Sequence, residues 1–290
     1  MAESSAVETV VLDGLALAQK LRGEMGEEIQ KILAAGGRAP CLAVVRVGDD
    51  PASASYIKGK RRAAKRIGME SIEHHLPEET REDELLALID RLNADDDVDG
   101  ILVQLPVPPQ IRANAVAEAI SGDKDVDGVG PLNAGRLLMG EPGFFACTPL
   151  GILEVLDHHE IPIEGAHAVV IGRSMIVGKP ISLLLQRRNA TVTMCHSRTR
   201  DLAELCRSAD ILVAAVGRPR MVQADWVKPG AAVIDVGVSE VDGELVGDVD
   251  LEAVKGIAAL VTPHRRGVGP MTITMLLHNT LLAYRARTAV

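Results

Sequence analysis

The sequence predicts an α/β protein of two domains built on parallel sheets covered by helices. Three observations predict it. Short Val-rich apolar runs alternate with helical stretches along almost all of the 290 residues, the pattern of strands joined by crossover helices. Gly and Pro concentrate in GEPGFFACTPLG and mark a boundary near residues 140 to 150. HAVVIGRSMIVGKP reads as strand, loop and helix, an arrangement that offers backbone N–H groups and a helix N-terminus to a phosphate.

In the first half, CLAVVRVG (41–48) is a short apolar run suited to a buried parallel strand. Asp49-Asp50-Pro51 opens a helix, with acids near its positive end and Pro at an early position, and Gly68 stops it. SIEHHL (71–76) is a weaker strand, REDELLALIDRLN (81–93) a helix, and DGILVQLP (99–106) a strand closed by Pro106. In the second half TPLGILEVLDHH (148–159) is helical and HAVVIG (167–172) a strand. GKPISLLLQRR (178–188) and RDLAELCRS (200–208) are helices, and ATVTMC (190–195) and DILVAAVG (210–217) are strands. AAVIDVG (231–237) and IAALVTP (257–263) are further strands, and GPMTITMLLHNTLLAYRAR (269–287) is a long closing helix.

The formal charge of −9 and the pI near 5.4 deny the chain the broad cationic field that captures nucleic acid. No run approaches the roughly 20 uninterrupted apolar residues of a membrane helix. The acidic start MAESSAVETVVLDG carries neither a basic leader with an apolar core nor an Arg-rich one, so the cytoplasm is the expected compartment. Cys41, Cys147, Cys195 and Cys206 form no C-x-x-C pair and no zinc spacing; they read as reduced, buried residues, and no metal site is expected.

The loop after Gly172 lacks G-x-G-x-x-G, and it fails the Walker pattern, because five residues precede Gly178-Lys179 and Pro180 follows. The next strand leads into Ser197 and Arg198, where an NAD site usually carries an acid. With Arg173 and Ser174 in the preceding loop, these hydroxyls and cations favour NADP. Singly, Arg173 and Arg198 also read as solvated surface cations. Tyr56 and Lys60 lie one helical turn apart on one face. A chance pair is one reading and a catalytic pair the other; short-chain dehydrogenases are disfavoured, since their Tyr-Lys pair follows the nucleotide loop. Lys58, Arg61, Arg62, Lys65 and Arg66 crowd the same helix, and that like charge is expected to ease proton loss from Lys60.

VGDDPASASYIKGKRRAA, GILVQLPVP, DKDVDGVGPLNAGRL, CTPLGI, VVIGRSMIVGKP, TVTMCHSRT, IDVGVS, VGDV and GVGPMT occur here in order. On these stretches the chain resembles the bifunctional methylenetetrahydrofolate dehydrogenase/methenyltetrahydrofolate cyclohydrolase family over essentially its full length. The resemblance implies an N-terminal α/β folate-binding and catalytic domain (1–147) and a C-terminal Rossmann-type NADP-binding domain (148–269), with a cleft between them and helix 270–290 packing back on the first. It implies Lys60 as the group handling protons in cyclohydrolysis and Tyr56 as its partner stacking on the folate. Gln104 would hold Lys60 in place, and Asp127 would accept hydrogen bonds from the pterin amino end. Val103 and Leu105, and Arg265, Arg266, Gly267, Val268 and Gly269 of the last loop, match substrate-binding positions. Gly172, Arg173, Ser174, Ser197 and Val238 match NADP-contacting ones. Tetrahydrofolate substrates and a homodimer are the implied partners. Taken without the resemblance, Gln104 and Asp127 read equally as a strand-end amide and a turn acid.

One departure stands out. The family usually reads TPVPGGVGPMT in its last loop, where this chain reads TPHRRGVGPMT at 262–272. Arg cannot take Gly's backbone freedom cheaply, so a different local path is expected. The added guanidinium groups of Arg265 and Arg266 either meet the folate's glutamate carboxylates or point to water. Two other functions compete: another NADP-linked dehydrogenase without methenyl hydrolysis, and a folate- or NADP-binding protein without turnover.

Overall fold

The computed structural model describes residues 7–288, with backbone alone at 51–53 and 55. The acidic start at 1–6 and the last two residues of the expected closing helix lie outside the described residues. In chain order the elements are β1 (Val10–Val11), α1 (Gly14–Ala34), β2 (Cys41–Val47), α2 (Pro51–Arg66), β3 (Glu70–Leu76), α3 (Glu82–Ala94), β4 (Gly100–Val103), α4 (Ala113–Ala119) and α5 (Pro131–Met139). Then follow α6 (Cys147–His158), β5 (His167–Ile171), α7 (Gly178–Arg187), β6 (Thr191–Cys195), α8 (Leu202–Arg207), β7 (Ile211–Ala214), β8 (Ala232–Asp235), β9 (Ser239–Val241), β10 (Glu244–Val246), α9 (Leu251–Val254), β11 (Leu260–Val261) and α10 (Val268–Thr288). No helix among the described residues is long and apolar enough to cross a membrane.

The chain forms two compact units. One comprises Gln19–Cys147 and the chain from Ile273 onward; the other comprises Thr148–Thr272 and the described residues up to Ala18. In the first unit three parallel strands run in the order β3-β2-β4. Central β2 is buried from Cys41 to Val45 because both its faces are covered, hence its unbroken apolar run. Ala43, Val45, Ile101 and Val103 pack with Leu85 and Ile89 of α3, and each fully buried large aliphatic stabilises the fold by about 1.5–3 kcal/mol. Strand β3 lies at the edge, which explains its mixed sequence and the exposure of Ile72.

The second unit carries a six-stranded parallel sheet in the order β1-β11-β8-β7-β5-β6. The chain starts at β5, adds β6 on one side and then β7, β8 and β11 on the other, a doubly wound arrangement with its switch point at β5 and β7. A single division at residue 147 would leave β1 with the other sheet. Instead Val10 and Val11 pair in parallel with Leu260 and Val261, satisfying the open edge of β11. A small antiparallel pair, β9 and β10, turns at Asp242 and Gly243, both with positive φ.

Candidate active site

Helix α2 buries Ile57, Ala63 and Ala64 and leaves Lys58, Arg61, Arg62 and Lys65 exposed. Lys60 falls on the inner side, 7% exposed. A buried amine needs acceptors, and Gln104, just past β4, supplies one: Lys60 Nζ donates to Gln104 Oε1 at 3.0 Å. Gln104 Nε2 donates to the Leu105 carbonyl at 2.7 Å, which fixes which end of the amide faces the amine. The Tyr56 ring lies one turn away, its centroid 5.2 Å from Lys60 Nζ.

Burial pushes the Lys60 amine below its ordinary basicity, against the opposing pull of the Asp127 charge. Burial likewise pushes the Asp127 carboxyl up, with Lys60 opposing. Burial thus biases both groups toward their uncharged forms. The expected cause was different. Crowding by the cations of α2 was to depress Lys60, yet desolvation does so. Those cations sit on the outer face, where Lys58, Arg61, Arg62 and Lys65 border a separate cavity and Arg61 pairs with Glu73 of β3.

Asp127 is placed by a laced loop. The buried Asp125 accepts N–H groups from Gly128, Val129 and Gly130 at 3.1, 3.3 and 2.9 Å, and Asn133 Nδ2 at 3.0 Å. Lys124 Nζ donates to the carbonyls of Leu92 and Asp95 near the end of α3. Asn279 of α10 donates to the Val126 and Phe145 carbonyls at 2.8 and 3.1 Å, and the Cys147 thiol donates to Val126 O at 3.4 Å. These supports escaped the sequence reading, although DKDVDG with three acids in five residues after a strand was a visible signal for them. The structure therefore gathers Tyr56, Lys60, Gln104 and Asp127 in one unit. Val103 is buried at the end of β4, and Leu105 is exposed beside Gln104. All four cysteines are free and buried.

In the six-stranded unit, β5 ends at a glycine that no other residue could replace cheaply. A Cβ on Gly172 (φ 129°) would lie 2.4 Å from the Ala215 carbonyl oxygen, and one on Gly178 would lie 2.3 Å from Gly172 O. Ser174 Oγ accepts the N–H groups of Val177 and Gly178 at 3.2 and 3.3 Å and so closes the loop into α7. Beyond the carboxyl ends of the strands, at the switch point, a cavity of about 270 Å³ is lined by Gly172, Arg173, His196, Ser197, Val216 and Arg218, among others. Ser197 is presented by a turn in which His196 N donates to Thr199 Oγ1 at 2.9 Å. Arg198 and Val238 are exposed and are not among its lining residues. Arg218 and His196 went unnoticed in the sequence, though VGRPR places a cation after β7 much as VIGR does after β5.

In the last loop an arginine takes the left-handed conformation that glycine favours: Arg266 has φ 61°. The left-handed region costs a non-glycine residue roughly 1 kcal/mol. The Arg266 guanidinium donates to both carboxylate oxygens of Asp13, at 3.2 and 2.9 Å. The pair is at the surface, with the Arg266 side chain still 63% exposed. Arg265 and Gly269 are exposed, and Gly267 and Val268 are buried.

A buried amine fixed by an amide in one α/β unit, and a doubly wound sheet with a cationic cavity at its switch point in the other, define a two-domain dinucleotide-dependent enzyme. The chain belongs to the tetrahydrofolate dehydrogenase/cyclohydrolase family: residues 12–127 match that family's catalytic domain and residues 146–288 its NAD(P)-binding domain. It is 55% identical over 274 residues to the bifunctional protein FolD of Exiguobacterium sibiricum, covering 94% of this chain and 99% of that protein. Among solved structures, the bifunctional FolD enzyme of Campylobacter jejuni matches with a TM-score of 0.94 at 45% identity, over 96% of this chain and 99% of that one. The FolD of Trypanosoma brucei, complexed with NADP and an inhibitor, matches with a TM-score of 0.91 at 37% identity, over 98% and 99% of the chains.

Proposed function

We propose that this protein oxidises 5,10-methylenetetrahydrofolate to the 5,10-methenyl cation with NADP and hydrolyses that cation to 10-formyltetrahydrofolate, with Lys60 as the acid–base group. The observation that carries the reading is the buried Lys60 amine, held by Gln104 and depressed in basicity beside Asp127.

The nicotinamide ring supplies the acceptor for the hydride that leaves the methylene carbon. The residues present fit such a cofactor. Gly172 and Gly178 allow close backbone approach, and Arg173 and Ser197 border a cavity with no acid among its lining residues. Ser174 shapes the loop, and Val238, just after β8, is assigned to the cofactor on family resemblance. Loss of hydride leaves a cationic carbon, which a neutral amine accommodates better than an ammonium. Water adds to that carbon. Lys60 takes a proton from the water and returns it to the ring nitrogen freed when the carbon–nitrogen bond breaks; the second water proton passes to solvent. Tyr56 offers its ring face to the pterin, Asp127 accepts from the pterin amino end, and Val103 and Leu105 flank it. Arg265 and Arg266, the two arginines that depart from the family pattern, are assigned to the substrate's glutamate carboxylates, both being exposed. The protein is further read as cytoplasmic and as a homodimer, the exposed edge of β3 offering unpaired backbone groups and Ile72 to a second copy.

One cuvette tests the reaction sequence. With NADP and methylenetetrahydrofolate, methenyl absorbance is expected to rise and then to decay faster than without enzyme. Formation followed by decay at the spontaneous rate would leave a dehydrogenase alone, and no formation would leave a binding protein; either result overturns the proposal.

A further inference from the structure

The cavity at the switch point has a third wall, the loop after β7, and that loop is anchored on a buried carboxylate. Three successive backbone N–H groups, of Val216, Gly217 and Arg218, donate to the side chain of Asp248 at 2.7, 3.1 and 2.6 Å. Asp248 is fully buried. It occupies the space a side chain at Gly237 would need, since a Cβ there would lie 2.1 Å from Asp248 Cγ. The Asp248 N–H in turn donates to Asp235 Oδ1 at 2.9 Å, and the Asp235 N–H to Thr262 Oγ1 at 2.7 Å. The β7 loop is thereby chained to β8 and to the end of β11.

The consequence is a fixed backbone beneath Arg218. Arg218 lines the cavity with Arg173 and Ser197, and no carboxylate-bearing residue lines it. Among the described residues, neither Arg173 nor Arg218 has a side-chain hydrogen bond or ion pair with the protein. Two unpaired guanidinium groups and a hydroxyl, from three different loops, suit a phosphate dianion far better than a ribose diol.

We propose that Arg218 is a further specificity-determining residue, pairing with the 2′-phosphate of the dinucleotide, and that Asp248 is the positioning residue that sets it there. This rests on the NADP reading of the cavity.

Titration calorimetry on the full chain, with no turnover, tests it using adenosine 2′,5′-bisphosphate and AMP as probes. Wild type is expected to bind the bisphosphate more tightly than AMP; equal binding would refute the NADP reading itself. Given that preference, R218Q is expected to lose about tenfold in bisphosphate affinity, the loss of one charge-assisted pair, while AMP affinity changes less than about twofold. R218K is expected to recover part of the loss. R220Q, which removes an exposed cation from the same loop outside the cavity lining, controls for overall charge and keeps the wild-type ratio. D248N is expected to lower the ratio as R218Q does, and D248N/R218Q to lower it no further. An unchanged ratio in R218Q overturns the assignment, as does an equal loss for both probes, which would place Arg218 on the phosphate they share. Additive losses in the double variant would remove the positioning role of Asp248 even if D248N alone folds poorly.

Discussion

Replacing Gln104 tests how the protein tunes its lysine. The Gln104 amide oxygen accepts from Lys60 Nζ at 3.0 Å, a bond that strengthens when the amine is charged and so partly counters the burial that disfavours the charge. A hydrogen bond to a charged group contributes about 1.5–3 kcal/mol. Its removal in Gln104→Leu therefore lowers the basicity of Lys60 further. The side chain keeps nearly the same volume, and the backbone bond from Gln104 N to Val45 O at 2.8 Å is untouched. The hydrolysis rate is expected to fall about 10- to 100-fold, with its pH profile displaced toward acid. Gln104→Glu places a carboxylate against the same amine, favours the ammonium and displaces the profile toward base. The assay is decay of added methenyltetrahydrofolate across pH 5 to 9, corrected for the spontaneous reaction. Displacement of both variants in the same direction, or of neither, would refute the claim that this contact sets the basicity of Lys60.

Gly172→Ala puts a Cβ 2.4 Å from a backbone oxygen at a φ of 129°; dinucleotide binding measured by calorimetry is expected to weaken at least tenfold, with a drop in melting temperature. Burial pushes the Asp235 carboxyl up to about 7 from its ordinary 3.8. The folded protein therefore holds a proton there that the unfolded chain releases, so stability falls as pH rises from about 4 to about 7 and is level above that. Urea unfolding of wild type and Asp235→Asn is expected to show the wild type losing ground to the variant over that range, and a gap independent of pH would contradict the assignment. Arg266→Ala removes an exposed pair with Asp13, so the unfolding free energy is expected to drop by less than about 1 kcal/mol.

Much of this arrangement was legible because burial writes itself into composition. Strands β2, β5 and β7 are enclosed on both faces, and their runs of Val, Ile, Leu and Ala announce it. Edge strand β3 is half-wet and carries Glu and His, so its signal is faint. Helices α4 and α5 are short and lie between turns, without the repeated apolar spacing that marks a longer helix. The β9–β10 hairpin was missed despite Asp242-Gly243, a strong turn signal, because the flanking runs are only three residues long. At the site, Tyr56 and Lys60 could be paired by helical spacing, but the source of the lysine's depressed basicity could not. Desolvation depends on which face of α2 turns inward, and the visible cations of KGKRRAAKR suggested like-charge repulsion instead. Asp248 was illegible for a similar reason. Its partners are backbone groups 30 to 32 residues away, and backbone donors leave no trace in residue type.

In the proposed reaction one buried amine conducts the proton transfers of hydrolysis. The most direct measurement supplies methenyltetrahydrofolate to a Lys60→Met variant, whose thioether fills the buried site without a titratable group. With native circular dichroism and dinucleotide binding retained, the variant is predicted to let methenyltetrahydrofolate decay only at the spontaneous rate. Decay at the wild-type rate would rule out Lys60 as the acid–base group.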